Sequence, residues 1–133
     1  MAQVDLEVPG ALVPCVRDTV LLQYRAAVEG LHVALGEPEP AEGGRARERL
    51  TWLDALLGQL GWPGEAVPAA AVELTGPAEL LRDALHGSLI DAGERLAVAC
   101  EGSWRGEASA DSIRSAAREV IGLDRLLRGL EAG

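Results

Sequence analysis

The stretch from Thr75 to Gly102, TGPAELLRDALHGSLIDAGERLAVACEG, constrains the fold more than any other part of the chain. Leu81, Leu85, Leu89, Ala92, Leu96 and Ala99 recur at steps of three and four, which puts them on one stripe of an α-helix. The ends carry helix signals too. Thr75 or Gly76 serves as an N-cap, and Pro77 fits the first turn, where its missing N–H has no acceptor to lose. Glu79 adds an acidic charge at the positive end of the helix dipole. Gly102 stands where a left-handed C-terminal residue belongs. A helix with one apolar stripe must bury it against another element, so this stretch predicts the central arm of a helical bundle.

Three further helices follow from the same periodicity. The first spans about Ala11 to Leu35, with Leu12, Val13, Val16, Val20, Tyr24, Ala27, Val28, Leu31 and Leu35 on a broad face. Pro14 belongs in a first turn, which moves the start toward Val13. Beside a polar stripe of Asp18, Arg25, Glu29 and His32 runs a second apolar strip of Cys15, Leu22 and Val33. The second helix spans about Arg45 to Leu60 on Ala46, Leu50, Leu53, Leu57 and Leu60, and Gly61 and Pro63 end it. The fourth spans about Ser109 to Glu131, with Ser109 as N-cap. Its narrow stripe is Ile113, Ala116, Val120, Leu123, Leu127 and Leu130. Residues 1–10 read as an irregular arm, Gly36–Gly44 as a polar loop, the Pro/Gly-rich segment 61–74 as a connector, and residues 102–108 as a glycine-bounded one. The expected fold is therefore all-α: a single domain over 1–133, built as a four-helix antiparallel, up-down-up-down bundle.

Composition narrows the partners. Of 133 residues, 48% are apolar but only 3% aromatic, with no Phe, so the core is expected to be Leu, Val and Ala. The net charge is −9 and every basic residue is Arg. Nucleic acid and anionic membrane both require a basic footprint, so neither is expected as a partner. No segment approaches the roughly 20 apolar residues of a membrane span. The opening MAQVDLEVPG carries Asp5 and Glu7 and no basic region, so it does not read as a secretory signal. Two cysteines, Cys15 and Cys100, are too few for a disulfide framework and read as small buried hydrophobes of a reducing, cytoplasmic environment.

The two histidines, His32 and His86, lie in no nucleophilic signature, and there is no Gly-x-Ser-x-Gly elbow or phosphate-binding loop. Glu29 and His32 form one Glu-x-x-His, where a bundle di-metal site uses two. Cys15 with His86, and His32 with Cys100, would approach from diagonal helices without the tight local spacing of a zinc site. The expectation is no catalytic residue, no metal and no cofactor. The leading reading is a non-enzymatic protein-interaction or adaptor module, with a protein partner or a second copy as its target. Its candidate interface residues are Cys15, Leu22, Val33, Ile90 and Trp104. Ile90 interrupts the acidic row Glu79, Asp83, Glu94 and Glu101, and Trp is a frequent interface anchor. The alternative is a small-ligand binder or enzyme with an inter-helix pocket lined by Gln23, Tyr24 and His86.

Overall fold

The computed structural model describes residues 3–35, 41–62, 64–65, 70–107 and 109–132, except the side chains of residues 34–35 and 41–45. Among them are two β-strands, β1 (Gln3–Val8) and β2 (Val72–Pro77), and a 3-10 turn at Gly10–Leu12. Four α-helices follow: α1 (Val13–Leu35), α2 (Ala41–Leu60), α3 (Ala78–Trp104) and α4 (Ala110–Ala132). The chain is mostly helical, as its periodicity predicts. It divides into two compact units, Met1–Pro77 and Ala78–Gly133.

In the first unit α1 packs on α2, and α2 packs on β2. The core joins short side chains of one helix to long ones of the other. Val13, Val16 and Val20 of α1 and Leu53, Leu56, Leu57 and Leu60 of α2 are all fully buried. Pro14 lies in the first turn of α1, where its ring breaks no hydrogen bond. Gly61 adopts φ 96°, the left-handed conformation expected just past α2, while Pro63 falls outside the described residues.

The N-terminal arm and the 61–74 connector are where the sequence reading needs correction. The arm is a strand, and residues 72–77 are its antiparallel partner, with Val4 opposite Gly76, Leu6 opposite Leu74 and Val8 opposite Val72. Apolar and polar residues alternate along both strands, which turns Val8 and Leu74 inward and leaves Asp5, Glu7 and Glu73 exposed. Each segment alone lacks a pairing partner; together they supply one another's. Thr75, Gly76 and Pro77 are consequently strand residues, not the cap and first turn of α3, which begins at Ala78.

The outer edge of β2 is closed by a side chain. Thr75 donates its N–H to Gln59 Oε1 at 2.8 Å, and Gln59 Nε2 donates to the Thr75 carbonyl at 3.4 Å. The Gln59 amide thus occupies the place of a third strand's peptide group. Because both main-chain groups of Thr75 point toward α2, Thr75 and Asp5 form a non-hydrogen-bonded pair, the kind that brings side chains closest. Thr75 Oγ1 donates to Asp5 Oδ1 at 2.7 Å across the strands. Next to it, Gly76 lies against α2: a Cβ there would stand 3.4 Å from Leu56 Cδ2.

Two helix boundaries also differ. Helix α2 begins at Ala41, so residues 41–44 are helical where a loop was expected; residues 36–40 of that expected loop lie outside the described residues. The two glycines there each cost the helix about 1 kcal/mol relative to Ala. Helix α3 continues past Gly102 to Trp104, and the left-handed residue is Gly106, at φ 76°. Glu107 N–H donates to the Gly102 carbonyl at 2.7 Å and Gly106 N–H to that of Ser103 at 3.0 Å, the paired bonds of a Schellman motif.

In the second unit α3 packs on α4. Its buried residues include Leu81, Leu85 and Ala92 of α3 and Leu123 and Leu127 of α4. Leu89 is only half-buried, while Ala84 and Ser88 are buried, so the inner face of α3 is rotated from the expected stripe. Ser88 is accommodated by donating its hydroxyl to the Ala84 carbonyl at 2.8 Å. Ser109 caps α4 as expected, its Oγ accepting from Ser112 N–H at 3.2 Å.

Replacing Gln59 by Leu keeps the bulk at the β2 edge but leaves the Thr75 N–H unpaired. The expected loss in a urea melt is about 1–3 kcal/mol. A loss below about 0.5 kcal/mol would mean that the edge does not depend on this side chain.

Candidate functional site

Folding leaves a small set of large apolar side chains in solvent, and they fall on identifiable helix faces. On α1, Leu22 is 65% and Val33 62% exposed. At 3.6 residues per turn these two and exposed Ala26 lie within about 40° of one another around the helix axis. Their polar neighbours are Asp18 and the surface pair Arg25–Glu29, whose Nε–Oε1 distance is 3.3 Å. Cys15, expected on this strip, is instead buried in the core of the first unit and leaves the candidate surface. A 3-10 turn joins β1 to α1, and the residues there are drawn inward together: Leu12 of that turn and Val13, Cys15 and Val16 of α1 are all buried.

On α3, Ile90 is 54% and Trp104 85% exposed. Trp104 is the last helical residue before the Schellman turn. The fourteen residues from Ile90 to Trp104 make two heptads, so both side chains share one line of the helix. Exposed Val28, Val98 and Ile121 were not singled out from the sequence. Val28 was assigned to the broad face of α1. Val98 and Ile121 differ from their buried neighbours only in rotation about the helix axis, which depends on how the partner helix is placed.

The groups considered for chemistry are dispersed. His32 and His86 are both exposed. Tyr24 packs edge-on against Trp62, with ring centroids 5.7 Å apart and planes at 89°. Both rings are half-buried, and the contact joins α1 to the residues that follow α2. Gln23 Oε1 and Arg17 Nη1 are buried without a hydrogen-bond partner. Gln23 therefore turns toward the apolar arc; it lies in the first unit with Tyr24, while His86 belongs to the second. Among the described residues no three His, Cys, Asp or Glu side chains are grouped to hold a metal ion. Among them, too, no helix is long and apolar enough to cross a membrane.

Charge on the second unit is organised by Arg95. Its guanidinium meets Asp91 at 3.4 Å on its own helix and Glu119 of α4 at 3.2 Å. Such half-exposed pairs are each worth at most about 1 kcal/mol, so they fix side-chain positions more than they stabilise the fold. Arg128–Asp124 at 3.1 Å and Arg114–Asp111 at 3.6 Å are pairs within α4.

Compared with known proteins, the chain matches no family model, no curated protein and no solved structure.

Of the three tryptophans, Trp52 and Trp62 are half-buried and Trp104 stands in solvent. Acrylamide should therefore quench a readily accessible component that Trp104→Phe removes. If the accessible component survives that substitution, Trp104 is covered in solution and does not belong to the exposed surface.

Proposed function

We propose that the chain is a non-enzymatic protein-interaction module that pairs with a second copy of itself through α1. The observation that carries this reading is the exposure of Leu22 and Val33 on one line of the helix. Two apolar segments of the chain have the composition to cover that strip. One is the N-terminal arm, with Val4, Leu6 and Val8; the other is the 61–74 connector, with Val67, Val72 and Leu74. Five of these residues are committed to the β1–β2 pair, and Val67 lies outside the described residues. Covering by a second copy is the proposal that remains, and a symmetric dimer would bury the strip twice around one axis.

The electrostatics of α1 favour this arrangement. Asp18 and Glu29 are offset by Arg25, so two such faces approach without a large charge penalty. The overall charge of −9 opposes association only mildly at physiological salt, where screening acts within about 8 Å. Exposed Ala26 and Gly30 add little bulk beside the strip and permit close helix contact. The interface is small, so its dissociation constant is expected on the order of micromolar rather than nanomolar.

We propose an arrangement of the helices and a location as well. In this arrangement each helix pair is an antiparallel hairpin, because the connectors are short, and the four helices form one up-down-up-down bundle. The location is the cytoplasm, where the free thiols of Cys15 and Cys100 stay reduced. The alternative of a small-ligand site has one observation in its favour, the unpaired Gln23 oxygen.

Sedimentation velocity across the micromolar range tests the pairing. The unmodified protein should shift from monomer to dimer with concentration, and Leu22→Glu should remain a folded monomer. A monomer at high micromolar concentration in the unmodified protein would overturn the self-association reading.

A further inference from the structure

The solvent side of α3 combines features that the α1 strip lacks. Ile90, Ala97 and Trp104 recur every seven residues and are all exposed. Glu79, Asp83, Glu94 and Glu101 flank that line and are exposed as well. At 3.6 residues per turn these seven residues and exposed His86 occupy an arc of about 80°, opposite the buried Leu81, Leu85 and Ala92. No arginine of α3 lies within the arc. Arg95 projects from another side and is held by Asp91 and Glu119, and Arg82 stands beyond the arc's edge.

We infer that this face is a docking strip for a cationic amphipathic helix. The inference rests on reading the chain as an interaction module, and it uses a different surface from the α1 pairing. Charge complementarity selects the occupant. A second copy would set four carboxylates against four, and nucleic acid or an anionic membrane would be repelled. A neutral apolar helix would fill the line but leave the carboxylates without counter-charges. A helix with an apolar stripe flanked by Lys or Arg satisfies both features.

The geometry sets the register. Ile90 and Trp104 are about 21 Å apart along the axis, and the small Ala97 between them leaves a notch for a large apolar side chain of the partner. The partner's apolar stripe must therefore extend about four turns. The C-terminal end of the strip is its strongest cation site. There the negative end of the α3 dipole, the Glu101 carboxylate and the exposed face of the Trp104 indole favour a positive group, offset in part by the exposed Arg105 that follows the helix.

The test uses a synthetic 18-residue helical peptide with leucines along one stripe and flanking lysines, and a counterpart with each lysine replaced by glutamate. Titration is followed by calorimetry and by tryptophan emission. The lysine peptide should bind one-to-one, shift the Trp104 emission to the blue, and weaken at least about five-fold between low and physiological salt. The glutamate peptide should not bind. Ile90→Glu is the decisive variant, because it adds negative charge to the strip while removing an apolar anchor. The strip predicts about ten-fold weaker binding for Ile90→Glu. Diffuse attraction to an acidic protein predicts equal or tighter binding, and that result would overturn the inference. The double charge reversal Glu94→Lys, Glu101→Lys should abolish binding, and unchanged affinity would overturn it as well. All three positions are exposed, so the fold should hold, and circular dichroism checks it. Leu22→Glu should bind the peptide as the unmodified protein does. Peptide binding with no dimer would leave the strip standing while the α1 pairing fails; a dimer with no binding at about 100 μM peptide would do the reverse.

Discussion

The hydrogen bonds between the Gln59 amide and the main chain of Thr75 are the contact on which the first unit depends. A two-stranded sheet is at best marginally stable alone, because each strand presents an unpaired edge to water. Here one edge is supplied with a donor and an acceptor by a helix side chain. Gly76 of that strand lies over Leu56 and Trp52 of α2. The strand pair joins the start of the unit to its end, since β1 precedes α1 and β2 follows α2. With both apolar terminal segments committed in this way, the outer strip of α1 stays bare.

The helices were legible in the sequence because their signals are local. A stripe such as Ile113, Ala116, Val120, Leu123 and Leu127 is readable wherever the helix goes, and all five residues are at least half-buried. The Ser109 cap needs only residues three positions apart. The strands were not legible in the same way. Val4-Asp5-Leu6-Glu7-Val8 and Val72-Glu73-Leu74 both alternate with period two, but pairing them requires a match across two intervening helices. The capping glycine of α3 was misplaced for a related reason. Gly102 and Gly106 both suit a helix end, and the choice between them depends on which carbonyls the following N–H groups reach.

The candidate surfaces were partly legible. A helical wheel places Leu22, Val33, Ile90 and Trp104 off the main stripes, and all four are exposed. It cannot place Cys15, which shares their angular position on α1 but lies in the first turn, where the helix is drawn into the core. It also missed the inward rotation of α3 that buries Ser88 and leaves Leu89 half-covered. Angular position is a property of one helix, whereas burial depends on what packs along its length.

Amide hydrogen exchange at Thr75 tests the account most directly. Thr75 N–H points away from β1, so protection there requires a partner on the α2 side. The account predicts that Thr75 exchanges as slowly as Leu6 and Leu74, whose N–H groups lie between the strands. Exchange of Thr75 as fast as that of Asp5 or Glu7, whose N–H groups face the outer edge of β1, would contradict it, because the strand pair would then be free of α2.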